Sequence, residues 1–198
     1  LGRGRDARGG DEACLLVVDE SRVEVLDWWQ QALSDEPDRA GSRSWGNVLP
    51  RVLVAAELRD RATGAPLLAV STHLSLTSQR ARVRSAEALR EVVASRDVPA
   101  IVLGDLNAGE RSRTLDALLA DDLLRDAWDV ADERTTPQWA TRPAYRSPRE
   151  GGRRLDWILV GPGVDVHRIA IDPRAFVGGW PSDHLGVHAL VHLDGAVG

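Results

Sequence analysis

The stretch Pro99-Ala-Ile-Val-Leu-Gly-Asp-Leu-Asn107 constrains the fold of this chain more than any other. Ile101, Val102 and Leu103 form an uncharged, largely β-branched run, the pattern of a buried strand. Gly104 breaks the run, and Asp105 and Asn107 follow two residues apart. Along an extended chain, positions i and i+2 point to one face. The carboxylate and the carboxamide are therefore expected together at the C-terminal end of a core strand, where open α/β sheets bind ligands. A carboxylate there can take a proton or hold a metal ion, and an amide can donate to an anionic oxygen. Gly-Asp-Leu-Asn reads equally as a strand end followed by an Asp/Asn turn, so the rest of the chain has to decide.

The flanking sequence supplies an αβ rhythm. Before the strand, residues 78–96 place Val83, Ala86, Leu89 and Val93 at helical spacing with Arg and Glu on the other face, which predicts an amphipathic helix capped by Thr77 or Ser78. A helix leading into a buried strand is the pattern of a layered sheet. Residues 52–58 and 67–72 read as two strands joined by the turn Asp60-Arg-Ala-Thr-Gly-Ala-Pro66, the second ending at His73. Residues 14–18 and 23–26 are short apolar runs around Asp19-Glu-Ser-Arg22 and read as a hairpin. After the central strand, 112–124 is a second amphipathic helix candidate, and 126–152 is a long polar loop with Trp139 and Tyr145. Three further strands are expected at 153–160, 164–171 and 187–193. The loop 34–47, with Trp45, and the loop 126–152 are long enough to carry specificity. The Gly- and Arg-rich residues 1–13 read as solvated loop, with a phosphate-binding loop as the sharper alternative.

Composition narrows the function. A length of 198 residues fits one domain spanning 1–198. A net charge of −5 offers no general attraction to phosphate backbones, although all 25 basic residues are arginine. Cys14 is alone, which excludes an intrachain disulfide and argues against a thiolate zinc site. No apolar run of about 18 residues is present, so no membrane-spanning helix is expected. No signal peptide is evident, and the compartment, cytoplasmic or secreted, stays open. A monomer is expected.

Four polar groups then fall at strand ends or inside an apolar strand: His73, Asp105 with Asn107, Asp156, and Asp183 with His184. Asp156 in its apolar run needs a charged partner, for which a histidine is suited. The order Thr72-His-Leu74, Gly104-Asp-Leu-Asn107, Leu155-Asp-Trp-Ile158 and Ser182-Asp-His184 resembles the endonuclease/exonuclease/phosphatase superfamily, the DNase I-like and exonuclease III-like phosphoesterases. The resemblance runs from about Arg3 to the end. Gly4-Arg-Asp6, Leu49-Pro-Arg51 and Ala81-Arg82 resemble a bacterial branch of it.

What the resemblance implies is an α/β fold, a four-layer α-β-β-α sandwich of two mixed sheets, and hydrolysis of phosphomonoesters or phosphodiesters with Mg2+ or Mn2+. By the same resemblance His184 is the general base or phosphorane stabiliser, oriented by Asp156. Asp105 positions and helps deprotonate the attacking water, and Asn107 and His73 hold phosphate oxygens. Asp183 assists metal binding together with Asp105, and Arg51 and Arg82 are substrate-side candidates. The implied partner is a phosphate-ester substrate, either nucleic acid or a small phosphorylated molecule. The family begins with a strand carrying an Asn, a helix, and a Gln-Glu dipeptide whose Glu is the main metal ligand. These are missing here, and Leu1 aligns near the strand after them, so an upstream segment is expected. Glu12 and Glu57 are the nearest glutamates in order, and neither sits in the matching motif. A calcineurin-like metallophosphatase would need an Asp-x-His start and a Gly-Asn-His segment, neither present. The alternative from another class is a truncated or degenerate, non-catalytic binding module. The retention of His73, Asp105, Asn107, Asp156, Asp183 and His184 together opposes it.

Overall fold

A computed structural model describes residues 1–193; residues 194–198, the end of the expected domain, lie outside the described residues. In chain order the elements are β1 (Val23–Ala32), β2 (Val52–Asp60), β3 (Pro66–His73), α1 (Gln79–Ala94), β4 (Ala100–Asp105), α2 (Arg113–Leu118), β5 (Arg125–Asp126), α3 (Ala127–Val130), β6 (Glu133–Arg134), β7 (Asp156–Val160), β8 (Val164–Asp172) and β9 (Gly186–Leu193). They form a mixed α/β fold with two mixed sheets, a six-stranded one ordered β1-β2-β3-β4-β7-β5 and a three-stranded one ordered β6-β8-β9. No described helix is long and apolar enough to cross a membrane.

The β3–α1–β4 unit sets the layout. β3 and β4 pair in parallel, which requires a crossover long enough to hold a helix. Ser78 starts that helix, its hydroxyl accepting from the backbone N–H of Ala81, and Ala81, Ala86, Leu89, Val92 and Val93 turn inward. Ala86, Leu89, Val92 and Val93 pack on Leu53, Leu68, Val70, Ala100, Val102 and Leu159 of the larger sheet, joined by Leu115 and Leu118 of α2. The opposite face, through Ile101, Ile158 and Val160, meets Val164, Val166, Ile169 and Ile171 of the smaller sheet. Helices, larger sheet and smaller sheet thus stack as successive layers around apolar side chains that alternate along each strand.

Three sequence expectations change. Residues 14–18 and 23–26 do not pair with each other. The turn at Asp19 does form, with Val23 N–H donating to its carbonyl at 2.8 Å, but β1 continues through Trp28 and Trp29 to Ala32 and pairs along its length with β2. Segment 14–18 instead exchanges backbone hydrogen bonds with Leu1 at Leu16. β2, whose side chains are buried on both faces, is the better partner because it offers a continuous ladder.

The helix expected over 112–124 ends at Leu118. A short 3-10 turn follows, with Asp121 and Asp122 at φ 58° and 55°. Aspartate tolerates that region better than most residues. Finally, the loop expected over 126–152 contains α3 and β6. β6 adds in parallel to β8 at Arg168 and Ile169, and its two residues are too few to show any periodicity.

Candidate active site

Strand register brings the first three polar groups into one row. His73 is opposite Asp105 in the β3–β4 ladder, and Asp105 is opposite Asp156 in the β4–β7 ladder. Gly104 makes this possible. Its φ of 141° is open to glycine almost alone, and a Cβ there would lie 1.9 Å from the carbonyl oxygen of Thr72.

Beyond Asp105 the chain is not extended, in contrast to the i, i+2 expectation. Asn107 sits at φ 48°. Its backbone N–H donates to Asp105 Oδ1 at 2.8 Å and its Nδ2 to the carbonyl of Leu74 at 3.0 Å. The turn and the strand end are therefore the same feature, and Asn107 still lines the cleft.

The fourth group comes from the other sheet. The segment before β9 carries Asp183 and His184, and His184 Nδ1 lies 2.8 Å from Asp156 Oδ2. With Nδ1–H assigned as the donor to that carboxylate, Nε2 points to Asp105 Oδ2 at 4.0 Å. His73 repeats the arrangement. Its Nδ1 is hydrogen-bonded to Glu12, and its Nε2 is 3.4 Å from the same Asp105 oxygen. Two carboxylate-held imidazoles thus flank one carboxylate.

Electrostatics follow from this crowding. Burial, opposed by the Asn107 hydrogen bond and reinforced by the nearby Asp156 charge, holds the Asp105 carboxyl above its ordinary range. The hydrogen bond to Asp156 raises the His184 imidazole, with burial working against it. Burial and the neighbouring Arg5 lower Arg51. Because His184 titrates higher folded than unfolded, its contribution to stability is complete below pH about 6.5 and is lost as pH rises through the raised folded value. Urea denaturation across pH 5 to 9 is expected to show this fall in the wild type and a flatter profile in Asp156→Asn.

The groups surround an open cleft of about 450 Å3. Of the sequence-derived residues, His73, Asp105, Asn107, Asp156, Asp183, His184 and Arg51 all line it. Arg82 does not. Its guanidinium donates to the carbonyls of Ser75 and Leu76 and ties α1 to the loop before it, so it supports the cleft wall instead of facing the cleft. Trp45, Trp139 and Tyr145 also stay out of the lining. Trp45 donates to Asp35, and Trp139 packs against the smaller sheet. The glycine- and arginine-rich N-terminal loop closes on itself through Gly4 and Ala13, and Asp6 accepts from the N–H groups of Arg8 and Gly10.

Motif reading did not single out Arg142, which lines the cleft 3.4 Å from Asp183 Oδ2, and it set Glu12 aside. Glu12 lies in the cleft, 3.1 Å from Arg5 Nη1 and 3.7 Å from Arg51 Nη1. Arg5 and Arg51 are each 7% exposed, and buried guanidinium groups demand a carboxylate. The sequence signal that could have found it is therefore the pair of arginines and not the spacing of glutamates. Glu57 lies on β2 and pairs with Arg96 at 2.6 Å, outside the cleft lining.

Asp105, Asp156 and His184 place ligand atoms within 4.8 Å of one another, close enough to hold a metal ion. The two carboxylates supply hard oxygen donors of the kind that suits a divalent cation, and a cation there would relieve the charge of Asp156 beside Asp105.

Comparison with known proteins agrees with the fold. The sequence model described as the Endonuclease/Exonuclease/phosphatase family matches residues 4–184. An endonuclease/exonuclease/phosphatase from Bacteroides vulgatus superposes with a TM-score of 0.88 at 30% identity, over 98% of this chain and 75% of that one. A mannosyl-6-phosphatase from Bacteroides thetaiotaomicron gives 0.85 at 25% identity, over 98% and 76%. A protein of unknown function from Enterococcus faecalis gives 0.86 at 23% identity, over 98% and 76%. No curated protein sequence matches.

Proposed function

Because the chain belongs to the endonuclease/exonuclease/phosphatase family, we propose that it hydrolyses phosphoesters with an activated water and a divalent ion, Mg2+ or Mn2+. The observation that carries this reading is the His184–Asp156 pair, whose Nε2 faces Asp105 across the cleft.

In-line attack on phosphorus needs a base for the water and positive charge for the non-bridging oxygens. Asp156 holds the Nδ1–H of His184 and leaves Nε2 free to take a proton from water or to steady the phosphorane. Asp105, raised by burial, orients the water from the other side and shares its deprotonation. His73, held at Nδ1 by Glu12, would donate from Nε2 to a phosphate oxygen as the imidazolium, and the remaining amide N–H of Asn107 donates to another. The buried Arg51 guanidinium adds fixed charge. Asp105 and Asp156 would hold the ion, with Asp183 assisting from the cleft wall. When bound, such an ion supplies charge to the phosphate without a proton transfer.

The preferred substrate is a small phosphorylated molecule and not a nucleic acid. Among the described residues no Trp, Tyr or Phe lines the cleft to stack a base, and the net charge of −5 does not draw a polyanion. A mannosyl-6-phosphatase among the similar structures accords with this choice.

The test is hydrolysis of p-nitrophenyl phosphate and bis-p-nitrophenyl phosphate by the purified chain with Mg2+, Mn2+ or chelator. Turnover of at least one ester, abolished by chelation and restored by added ion, is expected. A folded protein that hydrolyses neither ester with either ion overturns the reading and favours a binding module.

A further inference from the structure

Thr141 lies outside the cleft, wholly buried in the loop between β6 and β7. Its Oγ1 accepts hydrogen bonds from two consecutive backbone N–H groups, Leu155 at 2.9 Å and Asp156 at 3.2 Å. Its carbonyl accepts from Leu185 N–H at 2.8 Å, and its own N–H donates to the carbonyl of Arg153 at 3.3 Å. One residue therefore grips both chain segments that carry the catalytic pair, Asp156 directly and His184 through its neighbour Leu185.

The sheet explains why such a grip is needed. β7 is flanked by β4 on one side and β5 on the other, but β5 reaches only Val160 and Leu159. No strand lies beside Asp156 on the β5 side, and buried N–H groups there require another acceptor. The Thr141 hydroxyl is that acceptor. His184 meanwhile lies in the segment leading into β9 of the other sheet, so the Asp156–His184 hydrogen bond spans a gap that no ladder joins.

We propose that Thr141 is a positioning residue that holds the Asp156 and His184 segments at the separation catalysis needs. The proposal rests on the phosphoesterase reading of that pair. Displacements of about 1 Å at a reacting group cost up to about a hundredfold in rate, so a residue that touches no substrate can govern kcat.

Thr141→Val keeps the shape and removes the acceptor, and Thr141→Ser keeps the acceptor. Turnover of p-nitrophenyl phosphate or bis-p-nitrophenyl phosphate with Mn2+ is expected to drop about tenfold or more in kcat for Thr141→Val, with KM within about twofold. Thr141→Ser is expected to restore kcat to within about threefold of wild type. Slow hydrogen exchange at the Leu155 and Asp156 amides in wild type and Thr141→Ser, with faster exchange in Thr141→Val, accompanies this. A folded Thr141→Val with kcat near wild type, or a Thr141→Ser as impaired as Thr141→Val, overturns the proposal. If Thr141→Val does not fold, Thr141→Ala takes its place with the same expected loss and the same overturning result.

Should the wild type hydrolyse neither ester, the phosphoesterase reading fails by itself. The positioning claim is then decided by the downfield Nδ1–H proton resonance of His184. It is expected in wild type and Thr141→Ser and lost in Thr141→Val, and its persistence in a folded Thr141→Val refutes the claim.

Discussion

Replacing His184 with alanine is expected to lower kcat for phosphoester hydrolysis by about a thousandfold while leaving the fold intact, since a positioned acid or base contributes about a hundred- to ten-thousandfold. The size follows from the place of the ring. His184 combines an Nδ1–H fixed by the Asp156 carboxylate at 2.8 Å with a second nitrogen directed at Asp105, from the side of the cleft opposite His73. Its neighbour Asp183 and the backbone bond from Leu185 to Thr141 hold the segment without the ring, so the loss falls on chemistry and not on assembly. Steady-state kinetics with Mn2+ and a thermal melt separate the two. A folded His184→Ala that keeps more than about a tenth of wild-type kcat would exclude His184 as base or stabiliser.

Gly104→Ala is expected to destabilise the protein by about 3–5 kcal/mol, among the larger values for a single substitution. Two causes add. The backbone at φ 141° lies where a side chain is strained, and the new Cβ would overlap the Thr72 carbonyl oxygen at 1.9 Å. The relief open to the chain is to part β3 from β4, the ladder that sets His73 opposite Asp105. Activity is therefore expected to fall even under conditions where the variant remains folded. Denaturant unfolding measures the first effect and kcat at low temperature the second. A loss of stability under about 1 kcal/mol would mean that the ladder yields without cost.

The elements legible in the sequence were those with long, self-consistent patterns. The helix at Gln79–Ala94 follows its apolar spacing and its Ser78 cap, and β2, β3, β4, β8 and β9 lie within a residue or two of the apolar runs that suggested them. The polar groups His73, Asp105, Asn107, Asp156, Asp183 and His184 stood out because each interrupts or ends such a run. Short elements left no period to read, as β6 and α3 show. Arg82 was drawn in by local motif context, which carries no information on which face of α1 it occupies.

What the sequence determined by itself was the family, the order of the strands along the chain, and the chemical identity of six polar groups. These are local properties, written in spacing and residue type. Only the tertiary structure decided which groups meet. The parallel β3–β4 register and the antiparallel β4–β7 register align His73, Asp105 and Asp156, and the packing of two sheets delivers His184 to Asp156. Glu12 and Thr141 belong to that second category. Each is placed by partners 39 or more residues away or on the far side of a loop, Arg51 and His73 for Glu12, and Leu155, Asp156 and Leu185 for Thr141. Burial of a charge or of a backbone N–H creates the need for such a partner, and burial is a property of the folded chain.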